Sequence, residues 1–355
     1  MLKKTAVIVA HRKAGYLEEN IKFLKKRGFE IITAVDEPDE DCLHITEKYG
    51  IKTCFSQKRR GKWKALNDAV CFAEGDYILF VDSDTKLIEL DSGDLKRLEE
   101  FDAVEIRKEI NGSNFLERLI GIDYFNMYLT SRLASIFQSC LSINGAAFII
   151  RKDVLRKLEG FRKKINEDTD LGIRLGLGGY RVGVGGIAIT RAPTDIKEWF
   201  IQRERWSLGG AEVIIENFRE ITKKPRLWLP YLFMFYPAIV GMFAGIIFDR
   251  YALKLLYLIL PFLSLPPKLL SILMLSVFEF HTATNLFSIL ISFSIWSTTI
   301  IILSKKTHSS IDLSLLPIYY FFYSPLWTML CLIAVARVFV TKLKGNSINL
   351  KDWVV

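Results

Sequence analysis

Thr5 to Ala10 is a short apolar run with β-branched residues, the pattern of a buried strand. Tyr16 to Arg27 spaces its apolar positions as one face of a helix. Glu30 to Val35, Ile51 to Phe55 and Tyr77 to Val81 repeat the strand pattern, with helical spacing at Asp41 to Tyr49 and Lys64 to Ala73. Strand and helix in alternation predict parallel βαβ units. Downstream, Asp102 to Arg107, Ile143 to Ile150 and Tyr180 to Ile189 read as strands. Phe115 to Phe137 reads as one long helix or two, Asp153 to Glu159 as a helix, and Asn166 to Asp170 as the cap of another that runs to about Leu177. Ile196 to Phe218 predicts an amphipathic helix with Trp199, Phe200 and Trp206 among Lys and Arg, a profile expected at a membrane interface.

From Trp228 the pattern changes to apolar runs that approach the roughly 20 residues of a spanning helix. Four are expected, at about 228–248, 252–276, 284–303 and 315–340, the second holding Pro266-Pro267-Lys268 and open to reading as two re-entrant halves. Lys305-Lys306 then falls outside, against the positive-inside tendency, whereas Lys342-Leu-Lys344 favours a cytoplasmic end. The expected organisation is an α/β cytoplasmic domain at 1–195, an interfacial helix at 196–226, transmembrane helices at 227–341 and a cytoplasmic tail at 342–355.

The formal net charge of +9 over 355 residues comes without the basic, aromatic-rich repeats of a nucleic-acid module. Nucleic acid is therefore not expected as a partner; a lipid bilayer or an anionic substrate fits better. The five cysteines are far apart and form no CxxC pair, as for buried thiols in a reducing compartment. Met1-Leu-Lys-Lys runs straight into a strand, so no signal peptide is expected.

Candidate chemistry begins at Tyr77 to Asp84. Two carboxylates, Asp82 and Asp84, follow the apolar run at what would be the carboxyl end of a strand, where open α/β sheets bind ligands. Such a pair suits one hard cation on substrate phosphates; alone, it also suits an Asp-rich turn. Asp36 ends another predicted strand. Gly176-Leu-Gly-Gly179 and Gly183-Val-Gly-Gly186 are out of order for a dinucleotide loop, and Gly61-Lys62 lacks the spacing of a P-loop. Asn111-Gly-Ser113 is a glycosylation sequon, but in the domain placed in the cytoplasm.

Further polar islands lie in order along the chain. Val35-Asp-Glu-Pro-Asp-Glu-Asp41 looks like a VDDGSTD segment with Glu37 at its second Asp, and Gly61-Lys-Trp-Lys-Ala-Leu-Asn67 looks like GKAGALN. Val81-Asp-Ser-Asp84 holds DxD, Asn144-Gly-Ala-Ala-Phe148 is rich in small residues, Glu167-Asp-Thr-Asp-Leu171 matches a TED region, and Gln202-Arg-Glu-Arg-Trp206 is a QxxRW. Together they resemble the processive-type family-2 glycosyltransferases, which include cellulose, chitin and hyaluronan synthases and ceramide glucosyltransferase. The resemblance covers Thr5 to about Arg226; Ala10-His11-Arg12-Lys13 departs from the family's first loop, and no contacts are carried over there.

The resemblance implies a GT-A-like (Rossmann-like) fold, an inverting single displacement and a nucleotide-sugar donor, with a UDP-sugar ahead of a GDP-sugar. It implies Mg²⁺ or Mn²⁺ at Asp84 with Asp82, donor contacts from Asp36, Lys62 and Asp82, and Asp168 as general base. Gln202, Arg205 and Trp206 share a helix face suited to pyrophosphate and acceptor, with Arg203 and Glu204 turned to headgroups or solvent. The plain alternatives are a helix cap for Asp168 and a membrane anchor for the Gln202–Trp206 helix. Three functions stay open: polysaccharide synthesis at the cell membrane, single-sugar transfer to a lipid acceptor, and nucleotide-sugar binding without catalysis beside a transporter.

Overall fold

The computed structural model describes residues 3–90, 99–232, 259 and 266–344 of the chain. Its frame is an eight-stranded sheet in the order β3-β2-β1-β4-β7-β6-β8-β5. The strands are β1 (Lys4–His11), β2 (Glu30–Asp36), β3 (Lys52–Ser56), β4 (Tyr77–Asp82), β5 (Thr85–Glu89), β6 (Ala103–Ile110), β7 (Ala147–Arg151) and β8 (Val182–Thr190). Helices α1 (Leu17–Lys25), α2 (Glu40–Lys48) and α3 (Lys62–Val70) connect the first four strands. That half is parallel, as the alternation predicts.

The other half departs from simple βαβ winding. β7 runs antiparallel to both β4 and β6, and β5 antiparallel to β8, while β6 and β8 are parallel. β5 carries no separate sequence signal, because it follows Asp84 without a breaker. The predicted strand from Ile143 begins only at Ala147; Ile143–Ala146 is a loop whose Ile143 is nevertheless fully buried. Phe115 to Phe137 is one helix, α4 (Phe115–Ile136), started by a capping box of Asn114 and Glu117. α5 (Lys152–Lys157), α6 (Glu167–Gly178), α7 (Ile196–Thr222) and α8 (Pro225–Leu232) follow.

Apolar layers cover both faces of the sheet. One centres on Ile8, Leu24, Leu79, Ile106 and Ile149, the other on Ile32, Leu66, Phe80, Phe148 and Leu171. β4 is buried along Tyr77–Val81 and reaches partial exposure only at Asp82. The sheet therefore presents its chemistry at the carboxyl edge of a rigid, fully packed strand.

The chain falls into two compact units, Met1–Met234 with Met329–Val355, and Phe235–Thr328. Described C-terminal elements are α9 (Pro267–Lys306), a 3₁₀ turn (Leu313–Leu315), α10 (Leu316–Ile318), a π-helical segment (Tyr319–Tyr323) and α11 (Ser324–Leu343). Two stretches, Leu286–Lys306 and Leu313–Leu343, are long and apolar enough to cross a membrane. They overlap the runs expected at 284–303 and 315–340. The expected run at 228–248 and the first half of that at 252–276 lie largely outside the described residues; the rest, Pro267–Ser276, is continuous in α9 with the expected run at 284–303 and not a separate helix. Within the second unit, buried Trp296 stacks on Tyr319 at 5.6 Å, and Ser292 is hydrogen-bonded to Tyr320 at 2.6 Å. Within the first, Ala334 and Val338 of α11 pack on Leu208 and Ala211 of α7, flanked by the Arg337–Glu204 and Lys342–Glu216 ion pairs.

Candidate active site

β4 delivers Asp82 to the sheet edge, and α3 starts at Lys62 beside it. Lys62 Nζ donates to Asp82 Oδ2 at 2.7 Å and to the Gly145 carbonyl at 3.3 Å, with Glu167 Oε1 at 3.6 Å. Burial alone would lower the Lys62 pKa, but the carboxylates of Asp82, Glu167 and Asp168 raise it overall, so it stays cationic. Burial pushes the Asp82 carboxyl up to about 6, against the pull of Lys62 and with Asp84 and Asp168 adding repulsion. Asp84 is exposed in the turn before β5, where Thr85 Oγ1 donates to it at 3.2 Å.

Asp168 faces this group from the first turn of α6. Its Oδ2 accepts from Gly145 N at 2.8 Å and its Oδ1 from Thr169 N at 2.7 Å. Asn166, not Asp168, occupies the cap position, and Asn166 makes no capping bond. Its amide instead donates to the Trp206 carbonyl at 2.9 Å, tying α6 to α7. The plain role of Asp168 as a helix cap is thus not the one its contacts describe.

Glycines set the approach of the Cys140–Gly145 segment to α6. An added Cβ would lie 2.6 Å from Asp168 Oδ2 at Gly145, 2.6 Å from Ser142 backbone at Gly172, and 2.0 Å from the Cys140 carbonyl at Gly176. Gly172 and Gly176 are one turn apart on the same helix face. Gly176, from the glycine run out of order for a nucleotide loop, acts here as a contact point.

Glu167 belongs to the 167–171 motif but carries no expected role of its own, while Lys108 and Arg60 have no sequence signal. Glu167 is buried and its carboxyl is pushed up to about 7, by burial first, opposed by Lys62 and reinforced by Asp168. Lys108 of β6 is buried under the loop, donating to the Asn144 carbonyl at 2.9 Å and the Ala147 carbonyl at 2.8 Å. Burial lowers it to about 8, opposed by Glu105, Asp168 and Asp82. Arg60 ties up Asp36: its backbone N–H and its Nε reach the two carboxylate oxygens, each at 2.8 Å, and its guanidinium also pairs with Asp68. Asp36 sits on β2, two strands from Asp82, roughly 10 Å at ordinary strand spacing. Asp36 is therefore not part of the Lys62–Asp82–Asp168 cluster.

The raised Glu167 carboxyl has a consequence for stability. Its folded value lies above the ordinary 4.5, so the folded protein holds an extra proton between about pH 4.5 and 7. Stability from this group is present at the acid end of that window and is lost as pH rises through it. The thermal midpoint of the full chain in detergent is expected to drop a few degrees between pH 5 and pH 8. Glu167→Gln should flatten that slope, and an unchanged slope would count against the assignment.

On α7, Gln202, Arg205 and Trp206 are half-buried and share a face, as their spacing predicts. Trp206 meets Tyr124 of α4 edge-on with ring centroids 6.3 Å apart. Tyr124 is buried, and burial pushes its hydroxyl pKa up, opposed by Arg203 and reinforced by Asp84. Gln202 Oε1 is buried with no hydrogen-bond partner among the described residues. The expectation for Arg203 is overturned. It faces neither headgroups nor solvent: it is fully buried, its Nη1 2.7 Å from Asp123 Oδ2. Trp199 is also buried, leaving Ile196, Phe200 and Ile201 as the exposed apolar residues of that turn. Glu204 is exposed, as expected, and pairs with Arg337 at 2.9 Å.

No cluster of three or more His, Cys, Asp and Glu side chains is positioned to hold a metal among the described residues. Asp82 and Asp84 offer two carboxylates, which leaves most of a hard cation's shell to phosphate oxygens and water. This donor set fits a cation that arrives with a diphosphate better than a permanently bound one.

Residues 77–340 match the family described as Glycosyl transferase family group 2. The poly-beta-1,6-N-acetyl-D-glucosamine synthase of Staphylococcus aureus (strain MSSA476) is 25% identical over 248 residues, 65% of this chain and 60% of that protein. A Bacillus subtilis (strain 168) protein named "Probable glycosyltransferase YdaM" is 26% identical over 273 residues, 70% of this chain and 65% of that protein. The chain thus spans less than two thirds of either relative. Among solved structures, a mannosyltransferase from Pyrobaculum calidifontis in complex with GDP-Man and Mn²⁺ superposes with a TM-score of 0.57. That match has 13% identity and covers 98% of this chain and 88% of the other, a likeness of fold.

Proposed function

We propose that this chain, which belongs to glycosyl transferase family group 2 and is a glycosyltransferase, is a membrane-embedded inverting enzyme that moves a sugar from a nucleotide diphosphate sugar to a growing polysaccharide. The observation that carries the reading is the cluster at the edge of β4: Lys62 joined to Asp82 and Glu167, with Asp168 held by Gly145 N beside them. It sets a cation and a fixed carboxylate against one reaction space. The reading places the catalytic domain in the cytoplasm, up to about residue 195, with the α7 motif and the apolar helices after it.

In the reaction, the acceptor hydroxyl oxygen attacks the anomeric carbon from the face opposite the diphosphate. The bond from that carbon to the phosphate oxygen breaks, and its electron pair leaves with the nucleotide diphosphate. The hydroxyl proton passes to the Asp168 carboxylate, whose direction two backbone N–H groups fix. A divalent cation, Mg²⁺ or Mn²⁺, held by Asp84 with Asp82 would neutralise charge on the leaving diphosphate. Lys62 adds positive charge on the same side, and Asp36, oriented by Arg60, faces the nucleotide end. On α7, Arg205 offers forked donors to phosphate oxygens, and Gln202 Oε1, buried without a partner among the described residues, is an acceptor for a sugar hydroxyl. Trp206 supplies an apolar floor for the acceptor.

Two apolar stretches long enough to span support the membrane assignment, and the S. aureus relative's named product supports a polymer. The test is a screen of UDP-N-acetylglucosamine, other UDP-sugars and GDP-mannose with Mn²⁺ or Mg²⁺ on the purified chain in detergent, followed by product analysis. A ladder of products from a UDP-sugar is expected. A single lipid-linked product would replace the polymer with one-step transfer, and the absence of both transfer and donor hydrolysis would overturn the catalytic role.

A further inference from the structure

The α7 helix places Trp199, Arg203 and Trp206 on one face at spacings of four and three residues, the first two buried and Trp206 half-buried. Arg203 lies between the indoles, its guanidinium carbon 4.7 Å from the Trp206 ring centroid and 5.8 Å from that of Trp199. No part of Arg203 is exposed. Its charge is met by Asp123 of α4 at 2.7 Å, itself buried. The next residue of α4, Tyr124, is the ring that meets Trp206 edge-on. One stretch of α4 thus holds the cation behind Trp206 and the ring at its edge.

We infer that the buried Arg203–Asp123 pair is a positioning device: it fixes the Trp206 ring, so that the ring face opposite Arg203 is the one that receives the acceptor sugar. The inference rests on the proposed acceptor role of the Gln202–Arg205–Trp206 face. Stability alone is a weak reason for such a pair, because apolar residues of similar volume commonly replace a buried ion pair without loss of stability. Orientation is a stronger one. A planar guanidinium over one indole face leaves a single face open, and the Asp123 carboxylate fixes where that plane lies. Arg203 touches no reacting atom in this account and acts through Trp206.

The test uses the full chain in detergent and compares Arg203→Met/Asp123→Leu, Trp206→Ala and the triple substitution. Readouts are thermal midpoint, affinity for UDP with Mn²⁺, and transfer from UDP-N-acetylglucosamine and from GDP-mannose. The double substitution leaves no unpaired buried charge. It is expected to keep the midpoint and the nucleotide affinity while transfer falls on the order of 10²-fold, the scale of a small misplacement of a reacting group. Trp206→Ala should lose at least as much, and the triple variant should lose no more than Trp206→Ala. Transfer at the wild-type rate by the double variant, or losses that multiply in the triple, would overturn the inference and leave the acceptor face standing. Wild-type transfer by Trp206→Ala would remove the acceptor face and this inference together. If the double variant unfolds, Arg203→Lys answers the question: it keeps charge and pairing but lacks the flat cation. Normal midpoint with lowered transfer supports positioning, and unaltered transfer refutes it.

Discussion

Asp168→Asn is expected to reduce sugar transfer by at least roughly 10²-fold, the usual scale of lost acid–base assistance, with nucleotide affinity close to that of the unaltered chain. The substitution keeps an oxygen able to accept from Gly145 N, now at 2.8 Å from Asp168 Oδ2. It removes the negative charge and the capacity to take a proton, together with the second acceptor oxygen, which Thr169 N reaches at 2.7 Å. The fold should survive, since Asp168 is half-buried and does not cap α6. Transfer and calorimetric UDP binding measured on the same preparation separate the two effects. Near-normal turnover would shift attention to Glu167, the neighbouring acid with the raised pKa. In that event Glu167→Gln, and not Asp168→Asn, would abolish transfer.

The second large effect is on donor binding. Asp84 is exposed and lies in a turn, so Asp84→Ala should cost the fold little. If it holds the cation on the diphosphate, metal-dependent affinity for UDP or GDP should fall by more than the roughly 10- to 100-fold that altering even an outer partner of a metal ligand costs. Titration of nucleotide with and without Mn²⁺ is the direct measurement. An unchanged difference between the two titrations would leave Asp82 and substrate oxygens as the cation's only support. Asp82 is the harder residue to interpret by mutation, because its loss also leaves the Lys62 ammonium with Glu167, at 3.6 Å, in place of its 2.7 Å partner.

The parallel half of the sheet could be read from the chain because each strand there is a continuous apolar run between a helix and a turn. The antiparallel half was less visible. Ile143 is as apolar and as buried as any strand residue, yet it belongs to the loop that crosses the site. Nothing in its local pattern distinguishes the two. The site residues on motif positions, Lys62, Asp82 and Asp168, do meet. Asp36 sits apart because β1 runs between β2 and β4. Arg203 runs against its sequence pattern, because a charged side chain among other charges on a helix ordinarily faces water. Its partner Asp123 lies 80 residues earlier in sequence, among the apolar residues Ile122, Tyr124 and Phe125, and only the folded chain brings them together. Lys108 is similar, since a lysine in a strand end gives no sign that the carbonyls of Asn144 and Ala147 will enclose its ammonium.

The three glycine contacts between α6 and the Cys140–Gly145 segment bear on how the site can change over evolutionary time. Gly145, Gly172 and Gly176 each meet another backbone or the Asp168 carboxylate at a distance that leaves no room for a methyl group. Any larger residue at one of them lifts the segment from the helix, and with it the amide that aims Asp168. Drift at these positions is therefore coupled to the acid although none of the glycines has a reactive group. A collection of functional descendants should retain all three or exchange several at once, and a scan of single substitutions should find them nearly as intolerant as Asp168 itself.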